Sequence, residues 1–237
     1  MYILAIETTG AFASVAVSDG SRILAHIQGN DRFSHLENLM PQVKQAVAES
    51  GLSLGNMTAI AVSVGPGSFT GIRIGVSSAR GLAQILKIPC VPVSSLQALA
   101  MRAEVEDNVL VCPMLDARRS QIYAGGYLIN NGIASEIVAA GHYALDEFMG
   151  IVKEYDEIAI MGDGADVYED KISEYRADGI IRVPEAVRYQ HADTVAQLGA
   201  ILYGQGNSVK YEQLKPDYMR IPEAERKLKE KNAGWRL

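Results

Sequence analysis

The sequence predicts an α/β protein of two similar lobes, each a mixed β-sheet flanked by helices. Two observations carry that expectation. Short apolar stretches come in groups of three joined by tight turns, each group is followed by helical periodicities alternating with single strands, and this order of elements occurs twice. Three meandering strands feeding two helical crossovers give a sheet with an antiparallel and a parallel part and helices on its faces. A chain of 237 residues that is 48% hydrophobic is also long enough to bury one large core or two small ones.

Residues 2–8 (YILAIET), 13–19 (ASVAVSD) and 22–28 (RILAHIQ) read as the first three strands, with Asp19-Gly20 turning the second pair. Ser34, with Glu37 three residues on, marks a helix start. Leu36, Leu39, Met40, Val43 and Val47 then follow a helical period, and Pro41 within it predicts a kink or a delayed start. A strand over 59–65, a helix from Ser68 to Leu86, a strand over 89–93 and a helix capped at Ser94 or Ser95 complete the first set. The second set has strands at 109–117, 121–130 and 133–141, with Asn131-Gly132 in the second turn. A helix over 144–155, a strand over 157–163, a helix over 166–177, a strand over 180–183 and a helix over 191–204 follow. The expected units are a first lobe 1–106, a second lobe 107–206 and a basic tail 207–237 returning to the first lobe. Two such lobes face to face resemble the actin-like ATPase (ASKHA) and sugar-kinase superfamily.

The formal charge of −6 argues against strong nucleic-acid binding by the chain alone. Residues 146–178 hold eleven acids against three bases, whereas Lys215–Leu237 holds seven bases against four acids, so the tail is the candidate for docking to something acidic. Cys90 and Cys112 both lie in apolar runs, which excludes a disulfide framework and predicts buried thiols in a reducing, cytoplasmic setting. No apolar run reaches membrane-spanning length, and MYILAIETTG, with no basic n-region or small-residue cleavage site, reads as mature protein.

In that superfamily the nucleotide lies between the lobes, its phosphates held by the first hairpin turn of each. The equivalent turns are Glu7-Thr8-Thr9-Gly10-Ala11 and Asp116-Ala117-Arg118-Arg119-Ser120. Hydroxyls and amides there suit phosphate and a carboxylate suits a magnesium-bound water, so Glu7, Thr8, Thr9 and Asp116 are candidates for a weak, vestigial nucleotide site. A capped hairpin with a satisfied acid explains either turn equally well. "GPGSFTGIRIG" (65–75) is not a Walker A loop, since no Gly-Lys-Ser/Thr follows. Gly65 and Gly67 around Pro66 permit a sharp turn, and Gly71 and Gly75 leave a bare stripe on the helix that follows. Either the chain's own sheet or a partner protein can press against that stripe. His26, His142 and His191 read as isolated, and Asp163 and Asp166 as turn and cap residues.

The segments IETT (6–9), RFSHLENLMP (32–41), GPGSFTGIRIG (65–75), VPVSSLQALA (91–100), DARRSQIY (116–123), GDGA (162–165) and PDYMR (216–220) together resemble the bacterial TsaB (YeaZ) family, nearly end to end. That resemblance implies a subunit needed to form N6-threonylcarbamoyladenosine (t6A) at A37 of ANN-decoding tRNAs. It would pair with the TsaD transferase, be joined by TsaE, and touch tRNA only through the complex. The catalytic relative carries His-x-x-x-His on its first helix, whereas His35-Leu36-Glu37-Asn38-Leu39 has one histidine, so a non-catalytic role without a metal or intrinsic cofactor is expected. ATP or ADP is left to the assembled complex. The expected docking surface is helices 34–50 and 68–86, through His35, Leu36, Leu39, Met40, Val43, Phe69, Gly71, Ile72, Gly75 and Val76. The same patch should allow two copies to pair when TsaD is missing, and Gly75→Leu should disrupt pairing while leaving the fold largely intact. The alternative is a stand-alone actin-like-fold ATPase or metabolite kinase.

Overall fold

The computed structural model describes residues 1–30, 34–175 and 178–219. Strand β1 (Ile3–Glu7) is the centre of the first sheet. It pairs antiparallel with β2 (Ser14–Ser18) and parallel with β4 (Ala59–Gly65), and β3 (Ile23–Gln28) and β5 (Cys90–Ser94) form the edges. The second sheet repeats this order. Strand β6 (Leu110–Asp116) lies between antiparallel β7 (Gln121–Asn130) and parallel β9 (Ile158–Met161), with β8 (Ile133–Ala144) and β10 (Ile180–Arg182) outermost. The duplicated order of elements is thus a duplicated topology, that of the actin-like fold. The turns expected at Gly20 and at Asn131-Gly132 both adopt positive φ.

Both faces of the first sheet are covered, so its central strands are buried in every position rather than in alternate ones, and all but Glu7 and Ser63 in them are apolar or glycine. Leu4, Ile6, Ile60 and Val62 meet helices α1 (His35–Glu49) and α2 (Phe69–Leu86). Their neighbours Ile3, Ala5, Ala59 and Ala61 point the other way, as successive strand residues must, onto α7 (Ala192–Gly204). A Cβ on Gly199 of α7 would overlap that of Ala61, so glycine sets how closely this helix lies on the sheet. Helix α3 (Ser95–Ala100), conversely, packs Leu96 and Leu99 with Val111, Tyr127 and Ala159 of the second sheet. Each half's last helix therefore covers the other half's sheet. The expected boundaries after 106 and 206 divide the strands but not the packing, because chain order places a helix with the strands preceding it whereas α3 and α7 pack on the opposite sheets. Helices α4 (Leu145–Val152), α5 (Asp163–Val167) and α6 (Glu169–Tyr175) cover the second sheet's other face with Leu145, Phe148, Met149 and Ile172.

Local differences from expectation have local causes. The single helix read over 166–177 is broken at Tyr168, which leaves helical geometry and donates its hydroxyl to Asp116 Oδ1 at 3.0 Å; residues 176 and 177 lie outside the described chain. Helix α1 runs from His35 to Glu49 with Pro41 inside it, and the Ser34 side chain makes no capping bond. Ser68 does cap α2, accepting from Gly71 N at 3.2 Å. After α7 the chain returns to the first sheet. Val209 pairs with Cys90, Leu214 is buried beside Leu4 and Ile60, and Asp217 N donates to the Val64 carbonyl at 2.8 Å. The basic tail beyond 219 lies outside the described residues. Both cysteines are free and buried, and desolvation pushes the Cys90 thiol up to about 11.

Candidate functional site

The first hairpin turn is closed on itself. Glu7 is buried at the end of β1; its Oε1 accepts from Thr9 N and from Thr9 Oγ1, and its Oε2 from Ser63 Oγ. Thr8, also buried, donates its hydroxyl to the Gly71 carbonyl at 2.7 Å. The "GPGSFTG" turn lies directly on this hairpin, with Ser68 N donating to the Thr9 carbonyl at 2.8 Å. A Cβ on Gly67 or Gly71 would overlap the backbone carbonyl of Thr9 or Thr8, and one on Gly75 would overlap Thr8 Oγ1. This corrects two expectations. The Glu7 and Thr8 side chains are turned inward, bonded to Thr9, Ser63 and Gly71 and not lining the inter-lobe cleft, and Gly71 and Gly75 face this hairpin rather than a partner.

Burial raises the Glu7 pKa above its ordinary carboxylate value. A group with a higher pKa when folded contributes stability fully below its unfolded pKa, about 4.5, and loses it as pH rises through the folded value. Glu7→Gln keeps the shape without the charge. Denaturant unfolding from pH 4.5 to 8 should therefore show the variant gaining on the wild type as pH rises, whereas Glu7→Ala should cost about 2–4 kcal/mol at pH 4.5 by stranding Thr9 N and Ser63, a cost that shrinks as pH rises.

Between the lobes lies a cleft of about 490 Å³. Thr9, Gly10, Phe12 and Ser68 line one side, and Asp116, Arg118, Asp163 and Glu185 the other. Of the four predicted nucleotide-site residues, Thr9 and Asp116 reach it. Among the described lining residues three carboxylates face one guanidinium, and Arg118 is already engaged with Asp116 at 3.3 Å. Asp116 N donates to Asp163 Oδ1 at 3.2 Å, while desolvation and the neighbouring carboxylates raise the Asp163 pKa. Such a wall repels polyphosphate unless a cation intervenes. The turn carrying Arg118 holds Arg118, Arg119 and Ser120 at φ 68°, 57° and 58°, a run of left-handed residues that sequence patterning had no means to flag. Gly162 and Gly164 press on the backbone of Met114 and Leu115, and Asp166 binds Arg182, Arg188 and Tyr189 rather than capping a helix.

The α1–α2 surface splits the predicted docking residues. His35, Leu39, Val43, Ile72 and Val76 are buried in the chain's own core. His35 Nε2 lies 3.0 Å from the Gly10 carbonyl, and burial lowers its pKa. Leu36 and Met40 stay out in solvent, 77% and 44% exposed. With Val43 and Val47 they fall on one stripe of α1, since residues four and seven apart share a face. Met40, Val43 and Val47 of that stripe wall a groove of about 350 Å³ with Lys44, Leu54 and Leu82. Ile85, one turn beyond Leu82, is 78% exposed. The sequence reading omitted it, although an apolar residue off the buried 72-76-79-83 stripe was a legible signal. Phe69 lies on the opposite flank of α2, stacked with Tyr218 at 5.1 Å and covered by the Arg73 guanidinium at 3.9 Å.

Two histidines read as isolated meet in space. His26 on β3 and His191 before α7 have ring centroids 5.2 Å apart, and Asp193 stands beside them. Asp193 accepts from Arg102 Nη1 at 2.7 and 2.8 Å, and the buried Arg102 also donates to the Val187 and Ala186 carbonyls. Desolvation, then the Arg102 charge, holds His191 down at about 4, and desolvation lowers His26 as well.

The duplicated sheets, the shared helices and the inter-lobe cleft define an actin-like two-lobed protein whose first hairpin is hydrogen-bonded to itself. Residues 23–228 match the family model for TsaD, tRNA N6-adenosine threonylcarbamoyltransferase. The chain is 31% identical to the tRNA threonylcarbamoyladenosine biosynthesis protein TsaB of Bacillus subtilis over 96% of its own length and 97% of that protein's. To the Escherichia coli protein of that name it is 29% identical over 96% and 98%. A crystal structure from Pseudomonas aeruginosa, described as an uncharacterized protein with similarity to peptidase YEAZ, superposes with a TM-score of 0.79 at 27% identity, covering 92% of this chain and 99% of that one. The chain belongs to the TsaB family. No helix among the described residues is long and apolar enough to cross a membrane.

Proposed function

We propose that this chain is a non-catalytic subunit in the formation of t6A at A37 of ANN-decoding tRNAs, acting as scaffold and activator of a TsaD-type transferase in the cytoplasm. The observation that carries this reading is the apolar α1–α2 face, where Leu36, Met40 and Ile85 remain exposed beside the half-buried Leu82 although the sheet beneath is fully covered. A partner of related fold can lay its own equivalent helices there, giving a four-helix contact, and a second copy of this chain can do so when the transferase is absent. The first hairpin supports the non-catalytic part, since the groups that would hold phosphate are engaged with one another. TsaE joins the pair, tRNA is met through the complex, and any ATP or ADP belongs to the assembly.

The test is reconstitution from purified parts. A TsaD-type transferase supplied with threonylcarbamoyl-AMP and substrate tRNA should form t6A with this chain present and little without it, while the chain alone should turn over neither ATP nor a peptide. Equal t6A formation without the chain, or ATP turnover by the chain alone that Asp116→Ala abolishes, would favour a stand-alone actin-like-fold enzyme.

A further inference from the structure

We propose that His26, His191 and Asp193 form a binding site for one divalent transition-metal ion of the zinc class. Distant parts of the chain bring them together: His26 from the edge strand β3, His191 from the residue before α7, and Asp193 from its first turn. One donor atom from each lies within 4.8 Å of the other two. A tetrahedral ion with bonds of about 2.0–2.1 Å needs donors about 3.3 Å apart, so side-chain rotation must draw them in by up to about 1.5 Å.

A second, independent feature asks for a ligand. His26 Nε2 is buried and has no hydrogen-bond partner among the described residues. An orphaned buried nitrogen is unfavourable, and a metal ion is one partner an imidazole accepts. Both imidazoles are desolvated, which favours the neutral, ligating form. Asp193 Oδ1 takes Arg102 and Thr194 N, but Oδ2 takes Arg102 alone and retains a lone pair. Two imidazoles and a carboxylate suit zinc, cobalt or nickel and not magnesium or calcium. Water supplies the fourth position, since all three residues are partly exposed. The Arg102 guanidinium keeps Asp193 ionised and also opposes a second positive charge, so affinity belongs in the micromolar range. The ion would sit where Arg102 ties α7 to the second lobe, and would fasten β3 to that junction.

The competing explanation is an imidazole–imidazole hydrogen bond between His26 and His191 that needs no ion. Protein freed of metal by a chelator would be titrated with zinc chloride by calorimetry and with cobalt(II) by visible absorption. Histidine ring nitrogens would be followed by long-range 1H–15N NMR. One equivalent should bind, with the His26 and His191 ring signals shifting and those of His35 and His142 unmoved. His26→Gln and His191→Gln should each weaken binding at least tenfold, His142→Gln should not, and magnesium should not compete. Absence of saturable binding, shifts confined to other histidines, or undiminished affinity in His26→Gln overturns the proposal. The NMR arm uses the wild-type chain and stands even if a variant fails to fold.

Discussion

Replacing Gly71 with alanine should lower the melting temperature of the chain by about 5–15 °C, whereas Gly81→Ala in the same helix should raise it slightly. Both positions lie inside α2, where alanine is intrinsically favoured over glycine by about 1 kcal/mol. At Gly81 nothing lies within 4 Å of the added methyl, so that preference is realised. At Gly71 the methyl would overlap the Thr8 carbonyl oxygen. That carbonyl is fixed in a buried hairpin, where Thr8 is bonded to Gly71 and Thr9 to Glu7. The helix must lift or the hairpin must break, at a cost of about 2–4 kcal/mol, and about 2–4 °C is lost per kcal/mol in a chain of this size. Gly75→Leu should be worse, because its Cβ already meets Thr8 Oγ1 and the rest of the side chain has Val62 ahead of it. Gly75→Leu therefore does not test pairing in a folded protein, since folding should fail first. Calorimetric melting of the three variants decides it, and a stable, normally melting Gly71→Ala would mean α2 does not rest on this hairpin.

Those glycines also mark the limit of what the sequence made legible. Strand and helix order followed from local periodicity, and Ser68, Gly65 and Gly67 took the turn and cap roles expected of them because those roles involve neighbours in the chain. A bare stripe on a helix, by contrast, reveals only that something comes close. The occupant is Thr8, whose position depends on how β1 and α2 meet in three dimensions. The same gap explains the histidines, since spacing along the chain carries no trace of a meeting between β3 and the start of α7. It explains the exchanged helices too. Both α3 and α7 are apolar on nearly every side, so no polar face indicated which sheet each would cover. Of the proposed docking residues, Leu36 and Met40 are exposed on α1, and the helical period alone does not separate them from buried Leu39 and Val43.

Leu36→Asp and Ile85→Asp should each weaken association with a TsaD-type transferase about 30-fold or more, and together about 1,000-fold, without destabilising the chain. In the free protein both side chains already meet water, so a carboxylate there costs little. At position 36, in the first turn of α1, an acid is mildly favourable to the helix. In the proposed complex the same positions lie one helical turn from Met40 and Leu82, which line the groove, and a carboxylate buried against apolar side chains forfeits about 2 kcal/mol or more per site. About 1.4 kcal/mol is a factor of ten, which gives the expected ratios. Val167→Asp is the control, since Val167 is a similarly exposed apolar residue on α5 of the second lobe and should leave association unchanged. Phe69→Ala discriminates further. Its ring is held by Tyr218 and Arg73 on the far flank of α2, so it should disturb that contact more than pairing. Calorimetric titration with the transferase, light scattering of the chain alone and circular dichroism on each variant provide the readouts. Loss of the homodimer in the same two variants would place both partners on one face, whereas wild-type affinity in the double variant would remove the α1–α2 face as the docking site.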